Sequence, residues 1–353
     1  MILVEEGQSP LILCLPNSGT DVPKPVSARF NATGRLQADL SWRLERLFDF
    51  SSDRGLTVLR SSISRYVIDV DKDPATPLSA AFDPRAALCP ATTLDGKRIY
   101  QDGEEPGPTE IEQRILLFHA PFYKMLRQQI DRLMRKHGTV VLIDCQSMRS
   151  VIKGLTGKEL PELSLGSADG DACDADLRNL FVGMLSGLKD LELGVDAQTR
   201  GGFIVNSLGR PEGGVHALTL LLAQRAYLRH ESPPFEPDKE RITRLQEVLS
   251  DCFSSLIDWA EEAGRERKRK SAGTGPAKAV QAQEDLPAEP DVEAADTLSA
   301  ADDHEETAEE KQAPSEQHDA EMPILEPDAG IGPPTKQEAS ADNDKPMTLL
   351  VAE

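Results

Sequence analysis

The run Val140-Val141-Leu142-Ile143-Asp144-Cys145-Gln146-Ser147-Met148-Arg149-Ser150 constrains the fold most. It opens on apolar, largely β-branched residues and then turns abruptly polar, the pattern of a buried parallel strand whose carboxyl end opens into a loop. In open α/β sheets ligands lie beyond the carboxyl ends of the strands. Asp144, Gln146, Ser147 and Arg149 are therefore candidate site residues.

The same grammar appears at Pro10 to Leu15, an apolar run that ends at Pro16 and is followed by the turn formers Asn17-Ser18-Gly19-Thr20-Asp21. Gly55 to Arg60 and Arg65 to Val70 read as further strands, and Arg200-Gly201-Gly202-Phe203 as the entry to another. Leu40, Leu44, Leu47 and Phe48 fall at helical spacing and predict an amphipathic helix over 36–50. Thr109 to Lys136 reads as one long helix, with Thr109 and Glu112 in capping-box spacing and Gly138 as its stop. Helices are expected over 174–188 and about 237–263, and Val215 to Ala226 as a strand running into a helix. Between them, 71–107 is a long stretch rich in Pro, Gly and Asp, a texture that marks function or disorder. Strands alternating with helices predict an α/β, three-layer body with a mixed or parallel sheet.

Charge divides the chain. Residues 271–353 hold 4 Lys, no Arg and 21 Asp plus Glu, whereas the first 270 residues are nearly neutral at −4. With almost no aromatics, the acidic stretch cannot bury enough surface to fold and reads as a disordered tail. The expected organisation is a folded domain over 1–264, a basic segment over 265–270 and the acidic tail. A protein partner is the natural ligand of such a tail, and Met347 to Val351 reads as a frayed terminus. Nucleic acid is an unsuitable partner for so acidic a chain. No run approaches a membrane span, and five widely spaced cysteines without a CxxC suggest reduced thiols in the cytoplasm.

Taken in order, PNSGT, DLSW…LFDF, SRYVIDV, LCPATT, IDCQSMRS, LGSADG and GGFI…GRPEGGVHAL resemble the bacterial N-formylglutamate amidohydrolase (deformylase) family over roughly residues 10–260. The resemblance implies a phosphorylase/hydrolase-like fold related to zinc-dependent exopeptidases. It also implies an amide hydrolysis that releases formate, with zinc on His and carboxylate ligands and a Glu as base. At that centre the chain departs from the family pattern. Asn17 stands for the His of Pro-His-Ser-Gly, Gln146 for the His of Asp-x-His-Ser, Ser41 for the second Asp of Asp-x-Asp, and Leu221 for the Glu of the late motif. Amides bind zinc far more weakly than imidazole, and Leu accepts no proton.

The outer pattern is retained at Arg65, Tyr66, Asp69, Thr92, Thr93, Asp144, Arg149 and Asp169. Arg65 and Arg149 are suited either to clamping an acidic amino-acid-like ligand or to bracing loops against nearby Asp residues. The expectation is a non-catalytic family member that binds a ligand or a partner and carries no cofactor. The alternative is an active hydrolase, with zinc in a rearranged site or with Cys145 or Ser147 as nucleophile; His216 also matches a family position and is a further candidate. His119, His137 and His230 read as surface or helix-end residues.

Overall fold

The computed structural model describes residues 2–273 except Lys189. A seven-stranded sheet organises them: β1 (Ile2–Glu5), β2 (Leu11–Leu15), β3 (Thr57–Ser61), β4 (Val140–Met148), β5 (Leu163–Gly166), β6 (Leu193–Val195) and β7 (Val215–Ala223), in spatial order β1-β3-β2-β4-β7-β5-β6. β3, β2, β4 and β7 form a parallel centre; β1 and β5 join it antiparallel, and β6 runs parallel to β5. The sheet is therefore mixed. From β2 the chain moves outward to β3, then returns to place β4 on the other side of β2. That reversal puts a crevice at the carboxyl ends of β2 and β4.

The helices are α1 (Lys24–Ser27), α2 (Ala32–Leu36), α3 (Pro108–Arg114), α4 (Ala120–His137), α5 (Ala175–Ser186), α6 (Phe203–Leu208) and α7 (Lys239–Gly273). Strand alternation sorts the core into two. Val141, Ile143 and Cys145 with Leu218, Leu220 and Leu222 pack toward Phe181 of α5 and Phe253 of α7. Val140, Leu142 and Ala217 join Leu126 and Leu133 of α4 and Ile204 of α6. This is the three-layer arrangement expected.

Several local expectations need correction. The segment 36–50 is no α-helix: Gln37 and Arg43 take left-handed φ values of 47° and 60°, and only Leu44 and Leu47 of the predicted leucines lie on a 3-10 turn, over Leu44–Ser51. Arg65 to Val70 forms turns rather than a strand, and Arg200 to Val205 leads into α6. The long helix starts at Pro108, not Thr109, and is interrupted by a π-helical turn at Ile115–His119 just before Pro121. Proline lacks the donor that would continue the ladder, so the helix widens there. It stops where expected, at Gly138 with φ 84° and its N–H on Met134 O.

The basic segment is not separate from the last helix. α7 runs through it to Gly273, with Lys268 Nζ donating to Lys136 O at the carboxyl end of α4 (2.6 Å) and Arg267 reaching Glu212 O. The tail prediction, apart from residues 271–273, and the prediction at Met347 to Val351 lie outside the described residues. No helix among the described residues is long and apolar enough to cross a membrane.

Candidate functional site

Along β4 and β7 only four side chains break the buried pattern: Gln146, Met148, Val215 and Leu221. Three of them lie together at the carboxyl ends, where Gln146 and Leu221 are register partners on the same face. They look into a cavity of about 620 Å³. Its wall is completed by Ser147 and Thr219 of the same strands, by Arg65, Asp69, Asp71 and Lys72 from the turn after β3, by Pro84, Arg85 and Leu94, by the 155–160 loop, by 197–199 and by Gly201 and Gly202.

Two amides and two carboxylates form one hydrogen-bonded set at its inner end. Asn17 Nδ2 donates to Gln146 Oε1 (2.9 Å). Gln146 Nε2 donates to Asp71 Oδ2 (2.8 Å) and to Asp144 Oδ2 (2.9 Å), which also accepts from Thr219 Oγ1 (3.0 Å). Asp71 Oδ1 accepts from Ile204 N (2.9 Å) and its carbonyl from Phe203 N (3.1 Å), so the opening of α6 is fastened to this carboxylate. A Cβ at Gly202 would overlap the Asp71 carboxyl group, which explains the glycine there. Burial and the neighbouring Asp69 push Asp71 up to about 6, against the hydrogen bonds from Ile204 and Gln146. Burial and Asp71 push Asp144 well above the ordinary range. Two buried oxygens, Asn17 Oδ1 and Asp144 Oδ1, have no hydrogen-bond partner.

A zinc ion suits this set poorly. Asn17 and Gln146 offer only amide groups, and the Gln146 nitrogen points its donors at the very carboxylates that would face a cation. Among the described residues no three His, Cys, Asp or Glu side chains gather so as to hold a metal ion.

The remaining predicted residues separate. Arg65 and Asp69 line the cavity as an ion pair (2.7 Å), and Asp69 Oδ1 accepts from Asp71 N (3.1 Å). Tyr66 is buried and donates to Asp39 Oδ2 (2.8 Å). Arg149 is taken up by Asp39 (2.8 Å) and Asp95 (3.3 Å) and is not part of the cavity wall. Burial alone would raise Asp95, but hydrogen bonds from Lys97, Thr93 and Arg149 hold it well below the usual carboxylate range. Thr93 Oγ1 donates to Asp95 and accepts from Lys97 N, so it braces a turn, and Thr92 sits in the same turn outside the cavity. Asp169 is more than half exposed, pairs with Arg200 (3.3 Å) and lies elsewhere. The clamp reading thus fails for Arg149, and the bracing reading describes it. Ser41 is also set aside from the cavity: its Oγ accepts from Ser147 N (2.9 Å) and donates to Ser147 O (3.2 Å), pinning the Asp39 loop to the end of β4.

The two nucleophile candidates are placed differently. Cys145 and Ser147 alternate with Gln146 and point to the opposite face of the sheet. Cys145 is fully buried in the α7-side core, where burial and Asp144 push its thiol far up. Ser147 borders the cavity, but its Oγ is taken up by the Tyr227 hydroxyl (2.6 Å). His216 lies at the amino end of β7, far along the strand from Leu221. It accepts from Asp174 N (3.0 Å), meets Trp259 edge to face, and is lowered to about 4 by burial. His119 takes the helix-end position expected, closing the π-helical turn and capping α4, but it is not at the surface. It is buried, stacked on Tyr123, with Nε2 on Lys72 O (2.9 Å), directly behind the cavity wall.

Sequence reading missed Asp71, Lys72, Arg85 and Lys158. Asp71 had a signal, since it follows the apolar Val67-Ile68 and Val70 as Asp144 follows Ile143.

Residues 9–228 match the profile of the N-formylglutamate amidohydrolase family. An N-formylglutamate deformylase of Pseudomonas putida is 30% identical over 258 residues, covering 73% of this chain and 96% of that protein. Its counterpart from Pseudomonas aeruginosa is 29% identical over 259 residues, with the same coverage. The crystal structure of an N-formylglutamate amidohydrolase from Ralstonia eutropha JMP134 superposes with a TM-score of 0.58 at 20% identity, covering 76% of this chain and 98% of the other. A gene product from Agrobacterium tumefaciens does so with a TM-score of 0.54 at 16% identity, covering 72% and 95%.

Proposed function

The chain belongs to the N-formylglutamate amidohydrolase family, and we propose that it is a binding member of that family rather than a hydrolase, its cavity taking an acidic, amino-acid-like ligand. The observation that carries this reading is the bond from Asn17 to Gln146 and the two from Gln146 to Asp71 and Asp144. Where metal chemistry needs imidazole ligands and a cation, a neutral amide links two carboxylates and answers their oxygens with N–H donors. Leu221 beside it can neither take nor give a proton. Kinship with zinc-dependent exopeptidases is part of the same reading, with these positions as the vacated metal centre. A protein partner for the acidic stretch 271–353 fits the same role.

One observation favours a second reading, an active hydrolase that releases formate from N-formyl-L-glutamate or a related N-acyl amino acid. Asp71 faces the cavity with its carboxyl group raised to about 6, the range in which a carboxylate can serve as base near neutrality.

The two readings part in one experiment. The full chain is purified, its metal content measured, and N-formyl-L-glutamate hydrolysis followed with and without added Zn²⁺. No turnover under either condition is expected. Stoichiometric zinc with turnover overturns the binding reading, and turnover without metal that is lost in Asp71→Asn establishes the second.

A further inference from the structure

The cavity is large for the ligand its family name suggests. At about 620 Å³ it lies in the range of roughly 300–1,000 Å³ that holds drug-sized molecules. A single formylated amino acid has on the order of a dozen non-hydrogen atoms and leaves much of such a space to water.

Its lining is divided by chemistry. Leu221, Met148, Leu155, Leu160 and Leu94 supply apolar surface, and Leu221 stands directly beside Gln146. The cations are Arg65, Lys72, Arg85 and Lys158, of which Arg85 and Lys158 are exposed. Most of the carboxylates facing them are already engaged. Asp69 holds Arg65 (2.7 Å), Glu159 is drawn to Arg225 (2.8 Å), and Asp71 accepts from Gln146 and Ile204. Lys72 Nζ donates to Arg85 O (2.6 Å) and Arg85 Nη2 to Leu155 O (3.0 Å), so both use only part of their donor capacity on backbone. The result is an apolar surface next to the amide pair and unspent positive charge around it.

From this division we infer that the ligand is an acidic amino acid carrying an N-acyl chain longer than formyl, with the acyl chain against Leu221 and Met148 and the carboxylates toward Arg85 and Lys158. This rests on the cavity being a ligand site, as proposed above. A formyl group would leave the Leu221 surface wet, whereas each methylene placed on it gains about 0.8 kcal/mol, or about fourfold in affinity.

Titration calorimetry of the full chain with N-formyl-, N-acetyl-, N-butanoyl- and N-hexanoyl-L-glutamate tests this. Affinity is expected to rise along the series by several-fold per methylene, up to the length the cavity accepts. Leu221→Asn should flatten that rise. Arg85→Ala combined with Lys158→Ala, both exposed positions, should weaken every member by a similar factor, on the order of tenfold, and reduce the salt dependence of binding. A flat series, or formyl as the tightest ligand, overturns the inference and leaves the binding reading standing. No binding by any of the four overturns both.

Discussion

β4 and β7 run side by side, and their two faces serve different purposes. On one face Val141, Ile143 and Cys145 meet Leu218, Leu220 and Leu222 under α5 and α7, with no polar side chain between His216 at the amino end and Ser147 at the carboxyl end. On the other, one residue out of step, Val140 and Leu142 give way to Asp144 and Gln146, and Ala217 to Thr219 and Leu221. The same hydrogen-bonded ladder carries both. Its dry face only packs against helices, while its other face carries the amide–carboxylate set that opens into the cavity. Parity therefore separates the polar residues at the end of β4: the Cys145 side chain is sealed in the packed layer, whereas Gln146 opens into the cavity.

The contrast predicts different responses to substitution on the two faces. Leu220→Ala on the dry face removes buried methylenes and leaves a cavity, at a cost of about 2–5 kcal/mol by urea unfolding. Gln146→Glu keeps the size of the side chain but sets a third carboxyl group against Asp71 and Asp144. It should cost about 2–3 kcal/mol near neutral pH and much less at pH 4, where the carboxyl groups take up protons. If Gln146→Glu proves as stable as the parent at pH 8, the three groups do not meet as described.

The third effect is in the pH dependence. Asp71 is raised to about 6 in the folded protein, above the roughly 3.9 of an unfolded chain. Protonation therefore favours the folded state. The stabilisation is full below about pH 4 and is lost as pH climbs through 6, after which the profile levels. Asp71→Asn should remove most of that loss, making the variant about 1–1.5 kcal/mol less sensitive to the change from pH 5 to pH 8. Paired urea titrations at the two pH values check it, and an unchanged slope in the variant would assign the dependence to Asp144 instead.

How much of this was readable beforehand varies with the kind of signal. β2 and β4 were legible because a short apolar run followed by turn formers has few other meanings. The stop at Gly138 and the start of α5 at Asp174, whose side chain accepts from Asp176 N, were legible because caps are local chemistry. The segment 36–50 was not, because its leucine spacing suits a helix while Asp39, between the left-handed Gln37 and Arg43, is held in loop geometry by distant partners: Tyr66, Leu94 N and Arg149 all bond it. Asp71 escaped for the same reason. Its meaning comes from Gln146 and from Ile204, 133 positions away. The positions of Asn17, Gln146 and Leu221 were legible from the family resemblance, but that Gln146 would bond both carboxylates was not, since nothing local sets the rotamer of an amide.

The smallest effect lies at Asp169, a retained family position that the structure removes from the cavity. Its partner Arg200 is 72% exposed and the pair is 3.3 Å apart. Solvent screens such a pair, and ordering two exposed side chains offsets what attraction remains. Arg200→Ala should change unfolding free energy by under about 0.5 kcal/mol and leave acyl-glutamate affinity unchanged. Arg65→Ala, by contrast, strips the partner from Asp69, a buried carboxylate on the cavity wall, and should weaken both stability and binding. A loss of affinity in Arg200→Ala equal to that in Arg65→Ala would mean that the ligand site extends to the Asp169 loop and that parity along β4 does not bound it.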